Sequence, residues 1–164
     1  SIVFNDGGPE QDGVGVARTK AIYQLMPEPA NWDEAVDILQ QAKGKNFPAL
    51  SDKQWLEMAQ TIFEETEGTL IRSHDKVFTG EESRIDFDER LPMYWIEFAM
   101  FKTKPVLIFR GKHSLLFTDT LVQKMKNIIP ALQEFVVEGQ GHMPMLGTRG
   151  LPKLITDFLN KQES

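Results

Sequence analysis

Three short β-type runs, each followed by a loop rich in turn residues, limit most tightly what this chain can fold into. Ile2-Val3-Phe4 stops at Asn5-Asp6-Gly7-Gly8-Pro9, and Val106-Leu107-Ile108-Phe109 stops at Gly111-Lys112-His113-Ser114. The third, Leu132-Gln133-Glu134-Phe135-Val136-Val137, leads into Gly139-Gln140-Gly141-His142-Met143-Pro144. The second run is continuously apolar, as a parallel strand covered on both faces is. Between the second and third runs, Leu121, Met125, Ile128 and Ile129 recur at helical spacing until Pro130. After the third, Leu151 to about Asn160 forms another amphipathic helix, with Leu154, Ile155, Phe158 and Leu159 on its apolar side. Strand–helix–strand predicts parallel strands joined by a right-handed crossover. Their following loops then open on one sheet edge.

The first and second runs are separated by a block far longer than the dozen or more residues an ordinary crossover needs. It reads as helical. Val14, Ala17, Ala21, Ile22 and Leu25 predict a helix from about Asp12 to Met26, stopped by Pro27 and Pro29. Asn31 with Glu34 three places on is an N-cap pattern, followed by the apolar face Trp32, Ala35, Val36 and Leu39 up to Gly44. Ser51 with Gln54 repeats it, with Trp55, Met58, Ala59, Ile62 and Phe63 predicting a helix that ends at Gly68. Thr69–Arg72 is a short extended candidate, and Lys76–Glu89 reads mostly as loop. A further helix is predicted from about Leu91 to Phe101, carrying Tyr94, Trp95, Phe98 and Phe101. Such a block is expected to be an inserted lid or cap. Its aromatic and methionine positions are most simply core, with a subset able to line an apolar pocket.

Composition removes whole classes of function. The 164 residues carry 18 Lys+Arg against 24 Asp+Glu, a net charge of -6, which does not suit a nucleic-acid binder. With no cysteine there is neither a disulfide framework nor a cysteine nucleophile. No window approaches the roughly 20 apolar residues of a membrane-spanning helix. The start shows no secretory signal, so a cytoplasmic protein is expected. The chain also opens without methionine directly into a β-type run, which predicts a piece of something longer.

Few residues are placed for chemistry. His142 follows a strand end, between two glycines and a proline, where an imidazole can reach the crevice in which α/β proteins bind ligands. The alternative is a loop histidine bonded within its own turn. His113 follows the preceding strand, so two histidines should share one edge, yet no His-x-x-x-His pair or evident third ligand supports a metal. No metal and no cofactor is expected. His74 reads as a surface or turn residue. Asp6 stands at the end of the first strand and could orient a histidine, or simply serve its Asn-Asp-Gly-Gly turn. Asp119 is the other acid near the edge, and with Thr118 and Thr120 could instead cap a helix. None of the serines, Ser114 included, sits in Gly-x-Ser-x-Gly, and no phosphate-binding glycine loop occurs.

Taken together, Val3-Phe4-Asn5-Asp6-Gly7-Gly8-Pro9-Glu10, Pro105–Gly111 and Val136–Pro144 resemble, in order, three segments of the α/β-hydrolase family. These are its sixth strand, its seventh strand and its catalytic-histidine loop. The resemblance covers essentially the whole chain. It implies an α/β fold holding the last three strands of an incomplete hydrolase sheet, with a helical cap inserted. The implied division is residues 1–10 as the sixth-strand segment, 11–103 as cap and 104–164 as C-terminal core. By that resemblance His142 is the catalytic base. The family's acid usually follows the seventh strand in a pattern like Arg-Gly-x-x-Ser-Asp, where this chain has Leu115. Asp119 lies one helical turn further on, and Asp6 matches a sixth-strand position used by some members. Geometry favours Asp6.

The family's oxyanion loop and nucleophile elbow precede the sixth strand. The resemblance therefore implies the C-terminal portion of an esterase-like hydrolase, inactive alone and acting on a small molecule once an N-terminal half completes it. The alternative is a catalytically dead, split-gene type of binding module. Either way the raw sheet edge predicts self-association or a complementing chain.

Overall fold

The computed structural model describes residues 1–73, 91–148 and 150–161. The expectations for His74 and for the 76–89 loop fall outside the described residues. The chain forms two compact units, residues 1–16 with 90–164, and residues 17–89.

The first unit is built on a parallel three-stranded sheet. Its strands are β1 (Ile2–Asn5), β4 (Val106–Gly111) and β5 (Gln133–Val137), in the order β1-β4-β5. Ile2 lies opposite Val106, and Leu107 opposite Gln133. The central strand β4 is buried along its whole length, and its alternation feeds two separate cores. Val106 and Ile108 pack with Phe117, Leu121, Val122 and Met125 on one face. Leu107 and Phe109 pack with Val137, Leu151 and Phe158 on the other. An unbroken apolar run is what such a two-sided position requires.

Helix α5 (Asp119–Ile128) connects β4 to β5, and α6 (Leu151–Asn160) follows β5. Thr118 caps α5, its hydroxyl accepting from the Leu121 N–H at 3.4 Å. Between residues 91 and 103 the predicted helix is shorter than expected: α4 spans Trp95–Ala99 and passes into a 3-10 turn, Met100–Thr103. Phe98 and Phe101 stack against Phe4 at 6.1 and 6.5 Å between ring centroids, which covers one face of β1.

The second unit holds α2 (Trp32–Lys43), α3 (Asp52–Ile62) and an antiparallel hairpin, β2 (Phe63–Thr66) with β3 (Thr69–Arg72). Asn31 caps α2 by accepting from the Glu34 N–H at 2.9 Å, and Ser51 with Gln54 forms a complete capping box on α3. Leu39, Phe47, Trp55, Met58, Ile62, Phe63 and Leu70 are buried. Lys43 is buried as well, its ammonium 2.8 Å from the Tyr23 hydroxyl.

The expected end of the third helix needs correction. The third helix does not reach Gly68; it stops at Ile62, and residues 63–66 turn back on 69–72. Glu67 and Gly68 both take positive φ (52° and 76°), the requirement of a tight hairpin whose twist suits the flanking strands. A glycine after an apolar helical pattern signals a helix end or a hairpin turn equally well, and here strand pairing decides. The first helix, α1 (Gly13–Leu25), forms where expected, with Val14 and Leu25 62% and 83% exposed and Gly15 alone buried.

Candidate active site

Because β1, β4 and β5 are parallel, the loops after all three meet at one edge. Asp6 comes from the first, Gly111 to Ser114 from the second, and Gln140 to His142 from the third. Asp6 stands at the centre. Its backbone continues the sheet, donating N–H to the Phe109 carbonyl at 2.7 Å, then turns into the left-handed region at φ 50°. Aspartate tolerates that region better than most residues. The turn carries the carboxylate inward, where its side chain is fully buried.

A buried carboxylate is costly unless its oxygens are satisfied. Here Oδ1 accepts the Gly111 N–H at 2.7 Å. Oδ2 accepts the Ser114 hydroxyl at 2.6 Å and lies 2.8 Å from His142 Nδ1. One side chain thus joins all three loops. An ionised carboxylate only accepts, so the proton between it and the ring sits on Nδ1. The neutral imidazole then presents a lone pair at Nε2, the atom a general base uses. The His142 side chain remains 22% exposed.

The histidine loop is held from several directions. The buried side chain of Gln140 donates to Thr148 Oγ1 and accepts from the Met145 N–H, both at 2.8 Å. The backbone carbonyl of Gln140 accepts the His113 N–H at 2.9 Å, tying the β5 loop to the β4 loop. Asn5 donates from Nδ2 to the Pro144 carbonyl at 3.1 Å. Gly111 lies against the same loop so closely that an added Cβ would sit 2.3 Å from the Gly141 oxygen.

The structure brings Asp6 and His142 together and does not bring Asp119 to them. Asp119 is the first residue of α5, 79% exposed, with Oδ1 2.5 Å from Arg110 Nη2. Arg110 is buried and also bonds Glu134 at 2.8 Å, and Lys126 reaches the other Glu134 oxygen at 2.7 Å. Partial burial pushes the Glu134 carboxyl up, but the hydrogen bonds and charges of Lys126 and Arg110 outweigh it and hold the group below its ordinary value of 4.5. A depressed carboxylate stabilises the fold above that value and loses its contribution as pH falls through the folded-state value. Glu134→Gln should therefore cost about 1.5–3 kcal/mol at neutral pH, by analogy with other hydrogen bonds to charged groups. Urea denaturation should show that difference closing in acid; an equal loss at both pH values would contradict it.

Sequence reasoning missed three contributors: the Ser114 hydroxyl, the Gly111 N–H and the Gln140 side chain. Ser114 carries the one available signal, since it matches the serine of the Arg-Gly-x-x-Ser pattern. Among the described residues, no group of three or more His, Asp or Glu gathers where it could hold a metal ion. No helix among them is long and apolar enough to cross a membrane. Recesses of about 190 and 210 Å³ lie elsewhere in the first unit, one beside Phe135 and Leu154 and one beside Glu10 and Tyr94. Neither is lined by Asp6, Ser114 or His142.

No protein-family model and no curated protein matches the chain. Solved structures do. An α/β hydrolase from Novosphingobium aromaticivorans superposes with a TM-score of 0.81 at 25% identity, covering 97% of this chain and 56% of that one. The chain has part of the α/β-hydrolase fold. Two further structures share the fold at lower identity. An E-2-(acetamidomethylene)succinate hydrolase matches with a TM-score of 0.66 at 18% identity, covering 96% of this chain and 56% of its own. An esterase of M. tuberculosis matches at 0.58 and 15%, covering 99% and 53%. The chain spans about half the length of the α/β-hydrolase structures it matches, consistent with their C-terminal part. The three-stranded parallel sheet accords with the expected last three strands of an incomplete hydrolase sheet.

Proposed function

We propose that this chain supplies the histidine and acid of an α/β-hydrolase acting on an ester or related small molecule, with residues 11–103 as its cap. His142 is the base, Asp6 orients it, and the nucleophile and oxyanion donors come from residues outside the chain. The 2.8 Å contact between a fully buried carboxylate and Nδ1 of a partly exposed imidazole carries this reading. That pair is the orienting half of a serine triad, in which the acid fixes the tautomer and stabilises the imidazolium that forms. A base without a nucleophile or an oxyanion hole accelerates little.

A second reading, a binding module without catalysis, draws support from the sheet edge. β1 is paired with β4 alone among the described residues. The N–H groups of Ile2 and Asp6 turn toward the segment 105–109, so those of Val3 and Asn5 turn outward. Asn5 Oδ1 is buried with no hydrogen-bond partner among the described residues. Ile96 and Met100 are 82% and 76% exposed. A complementing chain, or a second copy, would satisfy such an edge.

One experiment separates the readings. The chain is assayed on p-nitrophenyl acetate alone and mixed with an N-terminal hydrolase half that supplies Gly-x-Ser-x-Gly, with light scattering on each sample. Turnover in the mixture alone, lost in His142→Ala, is the expected result. Turnover by the isolated chain that disappears in His142→Ala would show that it needs no partner. Association without turnover favours the binding module, and a clean monomer in every sample counts against pairing.

A further inference from the structure

We infer that Ser114 is a positioning residue that sets the strength of the Asp6–His142 hydrogen bond. The inference rests on reading those two residues as a working pair. Its basis is that Ser114 Oγ and His142 Nδ1 share one oxygen, Asp6 Oδ2, at 2.6 and 2.8 Å.

The hydroxyl has no freedom to turn elsewhere. Its oxygen accepts the Phe117 N–H at 3.1 Å, so its own proton points to the carboxylate, which can only accept. Phe117 is buried in the core against α5, and the Ser114 N–H donates to the Gly111 carbonyl at 3.0 Å. Serine is therefore fixed at both ends, and a second donor on Oδ2 is a permanent feature of the site. A donor on a carboxylate oxygen draws off negative charge, so that oxygen becomes a weaker acceptor for anything else that shares it. Ser114 holds the carboxylate in place and at the same time moderates its pull on the imidazole. Gly111 serves the other oxygen and does not compete. The charged and titratable groups on the converging segments are Asp6 after β1, Arg110, Lys112 and His113 at the end of β4, and Glu138 after β5. Arg110 is engaged by Asp119 and Glu134.

The test is the His142 Hδ1 resonance in the full chain, labelled with ¹⁵N-histidine and assigned by its loss in His142→Ala. Removing the competing donor in Ser114→Ala should move that resonance downfield, and Ser114→Thr, which keeps a γ-hydroxyl, should return it. Ser114→Cys, a weaker donor of similar shape, should give a smaller shift in the same direction and serves if the alanine variant does not fold. A merely structural role predicts the opposite, an upfield shift or loss as the pair loosens. An unmoved or upfield resonance overturns the inference, as does a downfield shift that threonine leaves in place. Asp6→Asn separates the two levels of the reading. If it leaves the resonance unaltered, the pair itself fails and the role of Ser114 falls with it. If it alters the resonance while Ser114→Ala does not, the Ser114 inference alone fails.

Discussion

Replacing Asp6 by asparagine should cut turnover by the completed enzyme about 10⁴-fold, the loss expected when a triad histidine is held in the wrong tautomer. Asparagine keeps nearly the same shape, and its carbonyl oxygen can still receive the Gly111 N–H. The group facing His142 becomes an amide NH₂, which donates. Nδ1 must then accept, the ring proton moves to Nε2, and the base no longer has its lone pair where the nucleophile's proton would be. Ser114 loses its acceptor in the same substitution. Rates on p-nitrophenyl acetate for Asp6→Asn and Asp119→Asn in parallel decide the matter. Asp119 is 79% exposed and paired with Arg110, so its variant should retain turnover within a few fold, as surface substitutions generally do. A large loss in Asp119→Asn with little in Asp6→Asn would reassign the acid.

The second large effect is expected at Gly111, through sterics. An added Cβ there meets backbone, lying 2.3 Å from the Gly141 oxygen, 2.7 Å from its carbonyl carbon and 2.8 Å from the Gln140 oxygen. A flexible side chain could swing away from such a contact, but a strand end and a hydrogen-bonded loop must separate as bodies. Gly111→Ala should therefore cost about 1–3 kcal/mol, the range for forced overpacking. That corresponds to a fall in Tm of roughly 2–12 °C for a chain of this size. The displaced loop is the one that carries His142, so the histidine should also move away from Asp6. Gly147→Ala is the control, since a Cβ there meets nothing within 4 Å. Equal melting temperatures for the two variants would show that the loops yield more readily than the geometry implies.

These two positions also show what could be read from the chain and what could not. The caps at Asn31 and Ser51 are contacts across three residues, and local spacing carries that kind of information. The same holds for the apolar run of β4 and for the glycine-flanked loop of His142. The choice between Asp6 and Asp119 was of another kind. Both follow a strand of the same sheet edge, and what separates them is a positive φ at Asp6 and the claim of Arg110 on Asp119. Neither is a local pattern. Ser114 escaped for a related reason, because a serine is a candidate for chemistry by motif, and its role here depends on a carboxylate 108 residues away. The hairpin at Glu67-Gly68 was hidden by a glycine that fits two structures, and the pairing of Phe63–Thr66 with Thr69–Arg72 distinguishes them.

The carboxylate of Asp6 spans 105, 108 and 136 residues of chain in its three contacts. The site is consequently closed by long-range docking and cannot exist as a local nucleus; it should be assembled late in folding, once both ends of the chain have met in the sheet. The same topology loosens a constraint. The entropic cost of bridging the intervening segment grows only logarithmically, by about 0.6 kcal/mol for each doubling of its length. The insert between β1 and β4 can therefore lengthen or shorten at small thermodynamic cost to the pair that its two ends hold together.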